Sequence, residues 1–199
     1  MKSIRYSTQH APKPETASKI ESMNTMSSEA HITYQTHFKL PPEVKEKLDP
    51  LYKDLPVLGP FKYKNGDTYK GQYKNGARTG YGQQICPDGS VYEGYWKNNK
   101  FQHWGQQIHK EGDFYVGEWV SGKAEGKGKY IHLDGFFYEG EWRADEQSGL
   151  GKEAWPDGSV YTGHYLRDKM HGEGVFEWPD GSKYEGGFIE HKFSGRGKD

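Results

Sequence analysis

The chain has 199 residues, 27 basic and 28 acidic, a formal charge of −1, and a single cysteine, Cys86. Near-neutral charge argues against a nucleic-acid binder, which needs a basic stripe able to neutralise several phosphates. One cysteine excludes an intrachain disulfide, and with no N-x-S/T sequon it points to a reducing, cytoplasmic setting. No run approaches 18 apolar residues and Lys2 rules out N-myristoylation, so the expectation is a chain without membrane span or recognisable lipid anchor.

Residues 1 to 40 hold eleven Ser or Thr and no apolar periodicity, and read as irregular when free. Residues 41 to 55, PPEVKEKLDPLYKDL, differ: prolines open the segment and Val44, Leu48 and Leu51 keep helical spacing, although Pro50 limits the helix. Two readings stand open for this short helix, a cap on whatever follows and a solvated spacer. Composition then changes abruptly, because all 27 glycines and all six tryptophans lie after residue 58. The expected division is an N-terminal extension over 1–58 and a second region over 59–199.

That second region repeats itself every 23 residues. A tyrosine recurs as Tyr69, Tyr92, Tyr115, Tyr138, Tyr161 and Tyr184, followed two residues later by glycine and four residues later by Tyr73, Trp96, Trp119, Trp142, Tyr165 or Phe188. A Gly-x-Gly pair and an acid-Gly turn complete each unit. A partial unit (59–68), five full units (69–183) and a truncated one (184–199) follow from this phase. Tyr-x-Gly-x-Trp alternates with the period of a strand, so ring, glycine and ring share one face. Glycine there makes room for a ring lying over bare backbone. Three residues past the second ring stand Gly76, Asn99, Gly122, Asp145, Asp168 and His191, all types that tolerate positive φ, which marks a tight turn. Each unit is therefore one β-hairpin, and the fold class is all-β: an elongated single-layer antiparallel sheet of stacked hairpins, on the order of 60 Å long.

YEGEWRADEQSGLGKEAWPDGSVYTGHY (138–165) resembles tandem MORN repeats, and the likeness extends over 59–199. The resemblance implies a sheet of hairpins with an aromatic-lined groove and a scaffold role in cytoskeletal, ciliary, basal-body or cortical assemblies. The second unit departs from the pattern: His103 takes the first Gly slot and Trp104 follows, which predicts a groove filled or bent near 101–105.

No enzyme motif, cofactor fingerprint or metal set is legible. AEGKGKY lacks the phosphate-loop lysine context, and His103, His109, Glu111 and Asp113 occupy unrelated slots without ligand spacing. The expected function is a non-enzymatic scaffold or adaptor. Its groove, lined by Tyr92, Trp96, Tyr115, Trp119, Tyr138, Trp142, Tyr161 and Tyr165, would take a helix or extended segment of a protein partner, or a second copy of the chain. The alternative is a peripheral contact with anionic phospholipids through Lys62, Lys64, Lys70 and Lys74 in the first unit, where four such residues give weak attachment.

Overall fold

The computed structural model of the protein describes residues 38–198, so the N-terminal stretch up to residue 37 lies outside the described residues. One helix, α1 (Pro42–Tyr52), forms where the two prolines open the segment; Glu43 sits in its first turn and Pro50 in its last. Thirteen strands follow: β1 (Val57–Lys62), β2 (Thr68–Lys74), β3 (Ala77–Ile85), β4 (Val91–Lys97), β5 (Lys100–Ile108), β6 (Phe114–Val120), β7 (Lys123–Ile131), β8 (Phe137–Arg143), β9 (Glu146–Ala154), β10 (Val160–Leu166), β11 (Lys169–Glu177), β12 (Lys183–Ile189) and β13 (Lys192–Lys198). They make one open antiparallel sheet in strict chain order.

The turns explain that order. At one end of each unit both residues of a two-residue loop have positive φ, as in Asn98 (50°) and Asn99 (67°) or Ala144 (52°) and Asp145 (75°). This is the turn whose twist matches paired strands. At the other end the aspartate of the acid-Gly dipeptide accepts a backbone N–H two residues on, for example Ser159 N to Asp157 Oδ1 at 2.8 Å. Between the turns each hairpin carries one bulge, at the first glycine of Gly-x-Gly; Gly126 has φ +85°. His103 holds the same conformation, at φ +62°.

Glycine pairs with glycine across the strands: Gly82 with Gly94, Gly105 with Gly117, Gly128 with Gly140, Gly151 with Gly163. Over this bare row lies the tyrosine of each unit. A Cβ on Gly151 would stand 2.5 Å from the Tyr138 ring, so the close approach requires glycine. The tyrosine hydroxyl then donates to the carbonyl three residues ahead, Tyr138 to Glu141 at 2.8 Å, and the bond recurs in all six units.

Units interlock through the second ring. Trp119 meets Tyr115 of its own unit edge-on at 5.0 Å between centroids and Tyr92 of the preceding one at 5.5 Å. Such pairs contribute about 0.5–1.5 kcal/mol each beyond burial. The core is therefore a ladder of rings along one face of a single sheet, sealed by the rings themselves. Among the described residues no other layer covers it, and α1 lies elsewhere.

Candidate functional site

Because side chains alternate along a strand, the residues flanking each glycine point to the face opposite the rings. There the glycine row forms the floor of an open trough of about 870 Å³ running from β5 to β12, with Trp104, Val116, Leu150 and Val175 among its walls. Leu150 is 54% exposed. In the middle, Lys127 pairs with Glu141 at 2.9 Å and Lys129 with Glu139 at 3.0 Å, while Lys152 on β9 lines the trough outside these pairs. Toward β12 stand Glu173 and Glu185.

The same face has a different tenant at its N-terminal end. Tyr81 and Tyr95 occupy positions that later units fill with Lys127, Glu118, Glu141 and Leu150, and α1 sits on them. Asp49 accepts the Tyr95 hydroxyl at 2.6 Å, Gln72 Nε2 donates to the Tyr52 carbonyl at 2.7 Å, and the Tyr52 hydroxyl is bonded to His103 Nε2 at 3.0 Å. Burial holds the His103 imidazole below its ordinary pKa, with Lys97 and Lys47 adding to the effect. The filling expected near 101–105 concerned the aromatic groove, and α1 does not supply it: the helix reaches His103 on the face away from the rings, while on the ring face Phe101 stacks on Tyr92 at 3.6 Å. Trp104, next along, begins the open trough.

The eight ring residues read as groove-lining are at most 3% exposed and pack on one another. They stand on the other face from the trough. Lys62, Lys64, Lys70 and Lys74 are all exposed at the β1 edge, beside the exposed Val57, Leu58 and Phe61. Arg78 of the same unit is turned inward, 4.3 Å above the Trp96 ring. Among the described residues, no three His, Cys, Asp or Glu side chains gather as a metal site, and Cys86 is a free thiol touching Gln84.

The rings are not uniform. Glu153, in a slot filled by Tyr130 and Phe176 in neighbouring units, lies between Tyr138 and Tyr161 and is 4% exposed. Burial raises its carboxyl to about 8; Tyr165 and Gln147 partly offset this, and Asp168 reinforces it.

The 23-residue hairpin with its tyrosine, glycine and second ring is matched by the MORN repeat at residues 69–91, 92–102, 115–135, 138–160, 161–183 and 184–198. The chain belongs to the MORN repeat family. The second match stops at residue 102, immediately before His103 and Trp104. MORN repeats are non-enzymatic modules through which proteins meet other proteins or membranes. No curated protein matches the chain.

Among solved structures, the TCP domain of SAS-4 (dCPAP) from Drosophila melanogaster, in complex with a proline-rich motif of Ana2, aligns at 12% identity and TM-score 0.40, over 62% of this chain and 68% of that one. The G-box domain of the microcephaly protein CPAP aligns at 17% identity and TM-score 0.33, over 69% and 81%. Virginiamycin B lyase from Staphylococcus aureus aligns at 18% identity and TM-score 0.19, over 69% and 43%. No helix among the described residues of this MORN protein is long and apolar enough to cross a membrane.

Proposed function

We propose that the protein is a non-enzymatic scaffold that holds a protein partner in the trough on the face opposite its rings. The observation that carries this reading is the continuity between the trough and the seat of α1: the sheet already binds one helix on that face, and the next stretch of the same face is open. In this reading the ring ladder serves binding indirectly, as the stiff backing that keeps two rows of trough residues at fixed spacing. The assembly is cytoskeletal, ciliary or cortical, a placement supported by the repeat's resemblance alone. A photo-crosslinking residue placed at Leu150 or Val175 of the full-length protein tests the site. Partner adducts from these positions, absent when the same group is placed at the hairpin turn residue Ser121, are the expected outcome. Adducts from the turn and none from the trough would remove the reading.

A second reading is favoured by the exposed lysines and apolar side chains at the β1 edge, which together suit a peripheral contact with an anionic membrane. Sedimentation with phosphatidylserine vesicles should then fall when Lys62, Lys64, Lys70 and Lys74 are replaced by alanine. Unchanged sedimentation in that variant would dismiss this reading.

A further inference from the structure

The shape and charge of the trough say more about its occupant than that it is a protein segment, provided the trough is the partner site. Every interior strand is hydrogen-bonded to a neighbour on both sides, so apart from the bulges its backbone donors and acceptors are taken up within the sheet. An extended segment laid across it would bury its own N–H and C=O groups without partners, whereas a helix satisfies them internally. The chain's own α1 meets this face as a helix.

From β5 to β12 there are seven strand steps, which at about 4.8 Å each make about 34 Å, the length of a helix of about 22 residues. Apolar contacts along the way are Trp104, Val116, Leu150 and Val175. Lys127 and Lys129 are already paired with Glu141 and Glu139, which leaves Lys152, beside Leu150, as a middle cation in none of the ion pairs found among the described residues. Glu173 and Glu185, toward the far end, stand in none of the ion pairs found among the described residues. We infer that the trough takes an amphipathic partner helix of about 22 residues, apolar toward the glycine floor and basic at the end that lies over Glu173 and Glu185.

Two fluorescein-labelled synthetic peptides of that length serve as probes, each with a leucine stripe at helical spacing, one with lysines and one with glutamates in its last two turns. Anisotropy titrations against the full-length protein should show the lysine peptide bound about tenfold tighter, with the margin shrinking as salt is raised. The double variant Glu173→Lys, Glu185→Lys should reverse the preference, and Leu150→Asp should weaken both peptides by about tenfold. All these residues are at the surface, and circular dichroism of each variant checks that the sheet is intact. Equal binding of the two peptides, or a preference untouched by charge reversal, overturns the inference; if trough crosslinks to a partner persist in that case, the proposed function stands without it. A concentration-dependent dimer that Leu150→Asp abolishes would give the trough to a second copy and also overturn it.

Discussion

The Trp119 indole donates to the Gly105 carbonyl at 3.1 Å, reaching back into the preceding unit. Trp96 does the same to Gly82 and Trp142 to Gly128, each at 3.1 Å. The ladder is therefore pinned by directed bonds as well as by ring contact. Trp119→Phe, which keeps most of the ring packing and loses the donor, should cost about 0.5–1.5 kcal/mol. Trp119→Ala should cost about 3–5 kcal/mol. Chemical denaturation followed by circular dichroism separates the two, and similar losses for both variants would mean the bond, rather than the ring, dominates.

Gly122 offers the opposite opportunity. Asp145 and Asp168, in the same slot one and two units on, each accept the backbone N–H of the preceding hairpin, Ala124 at 2.8 Å and Gln147 at 2.7 Å. Gly122 has no side chain to do this, its φ is +87°, and a Cβ there would meet nothing within 4 Å. Asparagine tolerates that conformation. Gly122→Asn should stabilise the array by about 0.5–1.5 kcal/mol, read as a higher midpoint in thermal unfolding.

Glu153 makes stability depend on pH in a defined direction. Its folded pKa, about 8, lies above the ordinary 4.5, so the folded state holds the proton more tightly. The stability contributed by the protonated carboxyl is complete below the ordinary value and is lost as pH rises through about 8. Glu153→Gln should therefore gain on the wild type as pH rises from about 6 to about 9, with little difference near pH ~4. Parallel thermal melts across that range check it; a constant difference would show that the carboxyl is ionised throughout.

His103 works the other way for α1. Burial lowers its pKa below 6.5, so the helix seat is stable above that value and weakens as pH falls below it. Protection factors over residues 42–52, which correct for the slower intrinsic exchange at low pH, should fall on acidification, while those of β7 to β10 are spared. Asp49→Ala, which removes the acceptor of the Tyr95 hydroxyl, should accelerate the same amides at neutral pH. Protection that is unchanged in both tests would show that α1 is held mainly by Leu48, its one buried side chain.

The hairpins, their turns and the ring face are legible in the sequence because each rests on a local rule repeated six times: alternation, positive φ at Asn99 or Asp145, and glycine beneath a ring. The trough is not, for a related reason. Lys127, Glu141, Leu150 and Val175 face a surface on which no unit must resemble the next, so they carry no period, and attention goes to the recurrent tyrosines that turn out to be the core. A signal is nonetheless present. Tyr81, Tyr95 and Trp104 are aromatic at flanking positions where later units place Lys127, Glu118, Glu141 and Leu150, an irregularity that marks the seat of α1 and the mouth of the trough. Glu153 reads only as a charge in the sequence, since nothing local says that the slot opposite two tyrosines is dry.

The strict chain order of the strands also sets how the molecule bears load. Tension applied between β1 and β13 acts along the sheet's long axis, parallel to its interstrand hydrogen bonds and across its strands. Such bonds break singly instead of sharing the force in shear, so the array should yield at an edge and peel inward. Each 23-residue unit released would add about 70 Å of slack, its extended length less the two strand steps it already spans. The bonds from Asp49 and Tyr52 to Tyr95 and His103, spanning 46 and 51 residues of chain, hold α1 across β4 and β5 and would guard the first hairpins against that peeling. A partner helix lying over seven strand steps would do the same for the rest, turning a compliant ribbon into a strut.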